Sequence, residues 1–317
     1  MPGLTSILVT RRLPAAALSA LEEVGRVEWP RGEGSLGPEE LAAQVAGKDA
    51  LVCMVTDQID RRVIDAGTGL KIIANVAVGY NNIDTNHARS RGVVVTNTPD
   101  VLTDSVADFT WAMILAITRR LSEGERLLRR GEWTGWAFDL LLGTDLKGKQ
   151  LGLVGFGRIG RAVAVKAAAF GMHVAYCSPR RHDTPDAEPL PYDRLLHTSD
   201  VVSLHVPLTP ATRHLVDGRA LARMKRSAYL VNTARGPVVD EAALAWALRQ
   251  RLIAGAALDV FEDEPAVHPD LLSLENVLLV PHLGSATTET RTAMARLAVE
   301  NVVAVLAGRP PLTPVPS

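Results

Sequence analysis

Three residues of complementary chemistry each stand just beyond an apolar run. Arg235 lies in Asn232-Thr233-Ala234-Arg235-Gly236, and Glu264 ends Ala257-Leu258-Asp259-Val260-Phe261-Glu262-Asp263-Glu264. His282 lies in Pro281-His282-Leu283-Gly284-Ser285. A guanidinium can grip an anion, a carboxylate can orient an imidazole, and an imidazole can move a proton near neutral pH. Singly each has a plainer explanation: a surface charge, a loop carboxylate, a histidine satisfied in the core. In an open parallel sheet, however, the carboxyl ends of the strands face the ligand crevice. An Arg, a Glu and a His that all emerge there favour a reactive site over three coincidences.

A second motif says what such a site would use. Leu151-Gly152-Leu153-Val154 reads as a buried strand, Gly155-Phe156-Gly157-Arg158-Ile159-Gly160 follows, and Arg161 to Phe170 is spaced as a helix. Alone, G-x-G-x-x-G is a glycine-rich turn; between a strand and a helix it is a dinucleotide fingerprint. Gly155 permits the tight turn, Gly157 lets backbone approach a pyrophosphate, and Gly160 lets helix and strand pack closely. Free N–H groups and the dipole at the helix start favour phosphate.

These residues need a scaffold, and the chain supplies alternating short strands and helices. Strands are expected at 6–10, 50–55, 71–75 and 93–96, with helices at 14–23, 38–45, 61–66 and 83–91, and a loop over 29–37. Asn97-Thr98-Pro99-Asp100 interrupts the alternation; a long apolar helix runs from about Leu102 to Arg120, and a charged one from Ser122 to Arg130. Gly131 to Gly148, with Trp133 and Trp136, reads as an irregular connector. The glycine motif then opens a second series of strands at 151–154, 173–176, 201–204, 228–232, 255–258 and 277–280, and a final helix spans 287–306. Strands alternating with helices mean parallel sheets covered on their faces. The expected fold is α/β, with two doubly wound, Rossmann-like domains and a cleft between them. The first, discontinuous and flavodoxin-like, takes 1–98 plus 287–317 and holds substrate; the second, 99–286, binds the dinucleotide.

Composition sets the outer bounds. At 317 residues and 47% hydrophobic, the chain can build two cores, and with 4% aromatics those cores must be Ala, Val and Leu. A formal net charge of −1 offers nothing to nucleic acid or an acidic membrane surface. No run approaches the about 18 apolar residues of a membrane span, and no signal core follows Arg11-Arg12. The two cysteines, Cys53 and Cys177, make no disulfide framework, so a cytoplasmic protein is expected. No Cys/His cluster has metal spacing. His87, His173, His197 and His214 read as structural or solvent-facing, and Cys53 as core.

The chain resembles the D-isomer-specific 2-hydroxyacid dehydrogenases, and within them the glyoxylate/hydroxypyruvate reductases. The resemblance covers nearly the whole sequence. It rests on Asn75-Val76-Ala77-Val78-Gly79-Tyr80-Asn81-Asn82-Ile83-Asp84, Thr98-Pro99-Asp100-Val101-Leu102-Thr103, Gly131-Glu132-Trp133, the glycine turn and the three segments above. It implies NAD(P)-dependent reduction of a small 2-oxo acid, glyoxylate or hydroxypyruvate, to the D-2-hydroxy acid. Arg235, Glu264 and His282 would be catalytic. His282 would be the general acid, Glu264 its hydrogen-bond partner, and Arg235 the anchor for the substrate carboxylate. The backbone at Val78 and Gly79 would supply a second grip on that carboxylate, and Ser285 would either touch substrate or cap the last helix. Besides the glycine motif, the cofactor would meet Thr103, His205, Pro207, Thr233, Ala234, Asp259 and Gly284.

Choice of nicotinamide turns on the end of the second strand, where an NAD site carries an acid about 20 residues past the glycines. Here Cys177 stands in that place, followed by Ser178-Pro179-Arg180-Arg181. Without the acid, and with two guanidinium groups to hold a 2′-phosphate, NADPH is the expected cofactor, with NADH possible as a substitute. A solvated basic turn is the alternative reading, and Asp183 lies too far along to replace the acid.

Competing functions are a phosphite dehydrogenase, disfavoured because Val78 replaces that branch's lysine, and D-lactate, D-glycerate or formate dehydrogenases. A different class is a dinucleotide-sensing binding protein such as the corepressors that share this fold; a chain ending at Ser317 is expected to leave little room for their docking tails. Assembly is expected as a homodimer. The 102–120 helix is apolar around most of its circumference, so one sheet should not cover it. The resemblance implies pairing through this helix and the 131–143 connector, with Trp136 either near the partner's active site or packed in its own subunit.

Overall fold

The computed structural model describes residues 5–30, 34 and 36–316. Residues 31–33 and 35 of the loop expected over 29–37 lie outside the described residues. The chain divides into two compact units, Met1–Leu102 with Thr287–Ser317, and Thr103–Ala286.

In the first unit β1 (Ser6–Val9), β2 (Arg26–Glu28), β3 (Ala50–Cys53), β4 (Ile72–Asn75) and β5 (Val94–Thr96) form a five-stranded sheet in the order β2-β1-β3-β4-β5. Every ladder in it is parallel. This is the flavodoxin-like doubly wound order. Alternate residues feed opposite faces. Ile7, Val9, Val52 and Ile72 pack on helices Ala15–Glu22 and Thr288–Leu306. Leu8, Leu51 and Ile73 pack on helices Pro38–Val45 and Arg61–Ala66. Both faces are covered, so these strands read as unbroken apolar runs rather than alternating ones.

The second unit holds β6 (Gln150–Val154), β7 (His173–Cys177), β8 (Glu188–Pro189), β9 (Val201–Leu204), β10 (Tyr229–Asn232), β11 (Gly255–Leu258) and β12 (Val277–Leu279). They form a seven-stranded sheet in the order β12-β11-β10-β9-β6-β7-β8, again with parallel ladders. The first strand of the unit lies in the middle and the chain winds outward both ways, as in the Rossmann order. The reversal falls between β6 and β9, and the glycine turn follows β6 directly. One face packs Val202, Leu204, Leu230 and Leu258 against helices Tyr192–Thr198, Gly218–Arg223 and Glu241–Arg249. The other packs Leu151, Leu153, Val231 and Ala257 against helices Thr103–Thr118 and Arg158–Ala167.

Several sequence expectations need correction. The long helix spans Thr103–Thr118, and its second apolar side is covered by its own chain. Trp111 donates its indole N–H to the Val163 carbonyl at 3.0 Å and stacks on Phe170 with centroids 4.3 Å apart. Asp104, Asp108 and Ala112, four apart, make the exposed stripe. The circumferential pattern therefore does not by itself require a second subunit. The unmet apolar surface lies instead in the connector, where Trp136 is 82% and Phe138 84% exposed. Two strands lacked a signal: β2 is three residues, an exposed Arg and half-buried Val and Glu, and β8 is Glu-Pro on the sheet edge, where a missing N–H costs no ladder bond. Thr287, not Ser285, caps the last helix, its side chain accepting from the Thr290 N–H at 3.1 Å.

Candidate active site

Asn232 ends β10 and shapes the turn that carries Arg235. Its side chain accepts from the Ala234 N–H at 3.0 Å and donates to the Arg235 carbonyl at 2.9 Å. The Arg235 guanidinium turns back to the Ala234 carbonyl, Nη1 to O 2.7 Å. Gly236 follows because nothing larger fits: a Cβ there would lie 1.8 Å from the Phe261 carbonyl oxygen. That near-contact of backbones sets the Arg235 turn against the segment leading to Glu264. Burial pulls the Arg235 pKa down and the Glu264 charge opposes it; a guanidinium stays charged regardless.

Glu264 is fixed at both oxygens. Oε1 accepts from the Phe261 N–H at 3.1 Å, and Oε2 from His282 Nδ1 at 2.9 Å. Burial works to raise its pKa, but the His282 hydrogen bond and charge, the Phe261 N–H and the Arg235 charge more than offset it, leaving Glu264 lowered and ionised. The pairing settles the tautomer: Nδ1 carries the proton that Glu264 accepts, and Nε2 is the ring nitrogen left to exchange a proton with a ligand.

His282 has a left-handed backbone, φ 54°, a conformation rare outside glycine that gathers at functional sites. Buried Asp259 holds it there. The His282 N–H donates to the Asp259 carbonyl at 2.8 Å, while the Asp259 carboxylate accepts from the N–H groups of Leu283 (2.6 Å) and Gly284 (2.9 Å). Burial raises the Asp259 pKa against those donors. The helix Thr103–Thr118 braces the same segments: Ser105 Oγ donates to the Gly284 carbonyl at 3.1 Å, and Thr110 Oγ1 meets Thr233 Oγ1 at 3.0 Å.

The glycine turn leaves room for a dinucleotide where the motif requires it. Gly155 has φ +95°, and a Cβ on it would lie 2.6 Å from the His205 carbonyl group; one on Gly160 would lie 2.5 Å from the Gly155 carbonyl oxygen. A Cβ on Gly157 would meet no protein atom within 4 Å. Two glycines are thus required by the fold, while the third faces open space at the N-terminus of helix Arg158–Ala167, where a pyrophosphate is favoured. Phe156 turns its side chain into the core, so only its backbone is available to a ligand. Arg158 is exposed and Ile159 half-buried. His205 lies beside this turn, its Nε2 2.9 Å from Ser203 Oγ, and burial pushes its pKa down to about 4, so it is neutral near pH 7. At the end of β7 Cys177 and Ser178 are half-buried, and Pro179, Arg180 and Arg181 are exposed. Pro207 is exposed; Thr103, Ala234 and Ser285 are half-buried.

In the first unit the segment after β4 is held by side chains that sequence reasoning missed. Asn75 donates to the Gly79 carbonyl at 2.9 Å, Asn97 to the Val78 carbonyl at 2.7 Å, and the Thr98 N–H to the Ala77 carbonyl at 2.9 Å. Those hydrogen bonds tie down the carbonyls of Ala77, Val78 and Gly79 and fix the course of the loop. Asn75 and Asn97 sit at strand ends, where an asparagine reads as an ordinary turn residue. Among the described residues no group of His, Cys, Asp and Glu could hold a metal ion, and no helix is long and apolar enough to cross a membrane.

Residues 111–284 match the NAD binding domain of the D-isomer specific 2-hydroxyacid dehydrogenases. The chain belongs to that family. A glyoxylate reductase from Thermofilum pendens is 47% identical over 96% of this chain and 92% of its own. A Thermus thermophilus protein of known structure superposes with a TM-score of 0.93 at 48% identity, covering 98% of this chain and 100% of the other. An NADPH-dependent glyoxylate/hydroxypyruvate reductase from Sinorhizobium meliloti, solved with NADP and malonate, gives a TM-score of 0.90 at 36% identity over 99% and 97% of the two chains. This D-2-hydroxyacid dehydrogenase is accordingly an NAD(P)-dependent oxidoreductase acting on CH–OH groups. The matched domain contains the glycine turn, Arg235, Glu264, His282 and Gly284; Thr103 and Ser285 fall outside it.

Proposed function

We propose that this enzyme reduces glyoxylate and hydroxypyruvate to the corresponding 2-hydroxy acids with NADPH, giving the D configuration where the product is chiral. The observation that carries the reading is the Glu264–His282 pair. The Glu264 carboxylate fixes Nδ1 at 2.9 Å and leaves Nε2 for the substrate, beside a guanidinium close enough to Glu264 for each to shift the other's ionisation. Relatives 44–47% identical over nearly the full chain, all named glyoxylate reductases, support the same substrate class.

The nicotinamide, when bound, supplies a hydride to the carbonyl carbon. The chain's own residues do the rest. Arg235 binds the substrate carboxylate and polarises the carbonyl through its planar fork. His282 Nε2–H donates its proton to the carbonyl oxygen as negative charge develops there. Glu264 accepts the Nδ1–H, fixes the ring's orientation and stabilises the imidazolium before transfer. The N–H groups of Val78 and Gly79 take the second carboxylate contact, and Ser285 a further polar one. For the cofactor, the backbone of Gly155, Phe156, Gly157, Arg158, Ile159 and Gly160 would receive the pyrophosphate, and Ser178, Pro179, Arg180 and Arg181 the 2′-phosphate. Thr103, His205, Pro207, Thr233, Ala234, Asp259 and Gly284 would line the rest. The missing acid at Cys177 supports NADP over NAD, since no carboxylate there repels a 2′-phosphate.

The reading extends to assembly and location. A homodimer is proposed because the connector exposes Trp133, Trp136, Phe138 and Leu142 within ten residues, apolar surface that gains by being covered. A cytoplasmic location is supported by two free thiols, Cys53 and Cys177. A steady-state screen of glyoxylate, hydroxypyruvate, pyruvate and phosphite with both nicotinamides tests the whole. The 2-oxo acids should turn over with NADPH in preference to NADH; turnover confined to phosphite, or a tenfold preference for NADH, overturns it.

A further inference from the structure

The turn carrying Arg180 and Arg181 is closed at its base by a single hydroxyl. Tyr176, 1% exposed on β7, accepts a hydrogen bond from the His182 N–H at 2.9 Å and donates one to the His182 carbonyl at 3.1 Å. The five residues 177–181 are thereby held as a loop pinned at both ends. The tyrosine ring is fixed in turn. Phe156, from the glycine turn, stacks on it with centroids 4.0 Å apart at 15°, and both rings meet the His182 imidazole edge-on, at 5.4 and 6.0 Å. The Tyr176 carbonyl accepts from the Leu190 N–H at 2.8 Å, tying the strand to the far end of the excursion. One side chain thus joins the turn that would meet the pyrophosphate to the turn that would meet the ribose.

We propose that Tyr176 is a positioning residue for cofactor selectivity: its hydroxyl clamps His182 and so presents Arg180 and Arg181 to the 2′-phosphate. This rests on the NADPH reading above. The physical reason is entropic. Arg180 and Arg181 are exposed, long side chains on a short loop, and a free loop would have to be ordered by the ligand it binds. Closing the loop beforehand moves that cost into folding. A buried tyrosine hydroxyl needs some partner in any protein, but a hydroxyl that only satisfied itself would have no reason to influence one nucleotide and not another.

The test uses Tyr176→Phe, which keeps the stacked ring and removes only the clamp. Dissociation constants for 2′,5′-ADP and 5′-ADP are measured on the full-length wild type, Tyr176→Phe, Arg180→Ala/Arg181→Ala and the triple variant, with melting temperatures alongside. The wild type should bind 2′,5′-ADP more tightly. Tyr176→Phe should weaken 2′,5′-ADP about three- to tenfold, the worth of one or two net hydrogen bonds, and leave 5′-ADP unchanged. In the arginine-free background the same substitution should have no further effect, because the clamp acts through those side chains. Equal weakening of both nucleotides, no weakening of either, or a full additional loss in the triple variant overturns the clamp while the NADPH reading stands. A wild type that binds the two nucleotides equally overturns that reading, and the clamp with it. If Tyr176→Phe does not fold, the inference is judged on Tyr176→Met, which lacks the hydroxyl, adds neither volume nor an N–H donor, and must show the same selective loss.

Discussion

A methyl group added at Gly157 would meet no protein atom within 4 Å, whereas one at Gly160 would strike the Gly155 carbonyl oxygen at 2.5 Å. The pair separates cofactor binding from folding. At Gly157 the backbone, φ −77° and ψ −158°, is open to alanine. As the helix N-cap it loses a fraction of a kcal/mol to alanine, and alanine's stiffer unfolded chain returns about 0.4–1 kcal/mol, so Gly157→Ala should leave stability within about 0.5 kcal/mol. Gly160→Ala must push the strand and helix apart, an overpacking cost of about 1–3 kcal/mol. At roughly 2–4 °C per kcal/mol, its melting temperature should fall measurably while that of Gly157→Ala holds. Binding should behave oppositely at Gly157. A methyl there keeps a pyrophosphate from at least one backbone N–H, and a hydrogen bond to a charged group is worth about 1.5–3 kcal/mol, so the NADPH dissociation constant should rise about 10- to 150-fold. Differential scanning fluorimetry without ligand, then titration with NADPH, measures both. A Gly157→Ala protein that melts as low as Gly160→Ala, or that binds NADPH like wild type, refutes the reasoning.

Cys177→Asp with Arg180→Ala should move kcat/KM preference from NADPH toward NADH, and an unchanged ratio counts against the basic turn as the discriminator. Sedimentation at micromolar concentration should give a dimer, and Trp136→Ala should weaken it; a fully active monomer contradicts the assembly. Glu264 titrates below the usual glutamate range in the folded protein, so its stabilising contribution is complete above that range and is lost as pH falls through the folded value. The difference in melting temperature between wild type and Glu264→Gln should therefore shrink on acidification, and a difference that grows would show the sign to be wrong.

Much of this was legible in the sequence, for identifiable reasons. Buried parallel strands such as Ile72–Asn75 and Gly255–Leu258 announce themselves as short apolar runs bounded by turns, and residues just past them fall at the ligand-facing edge. Arg235, Glu264 and His282 could be put forward as candidates on that ground before any geometry. What escaped depends on partners remote in sequence. Asn75 and Asn97 hold one loop from the carboxyl ends of neighbouring parallel strands, 22 residues apart in sequence, and neither position carries a periodic signal. The edge strands Arg26–Glu28 and Glu188–Pro189 are too short and polar to show a pattern. The long helix misled for the converse reason: hydrophobicity around its whole circumference reports full burial but not by what, and here the helix Arg158–Ala167 supplies the second cover.

The central claim is that His282, oriented by Glu264, delivers the proton that accompanies hydride transfer. It is tested most directly by the single-turnover rate of NADPH oxidation with glyoxylate in wild type and His282→Ala. A positioned general acid is worth about 10²–10⁴-fold, so that rate should fall by this factor while the NADPH dissociation constant stays within about twofold. A His282→Ala enzyme that turns over glyoxylate near the wild-type rate would contradict the account.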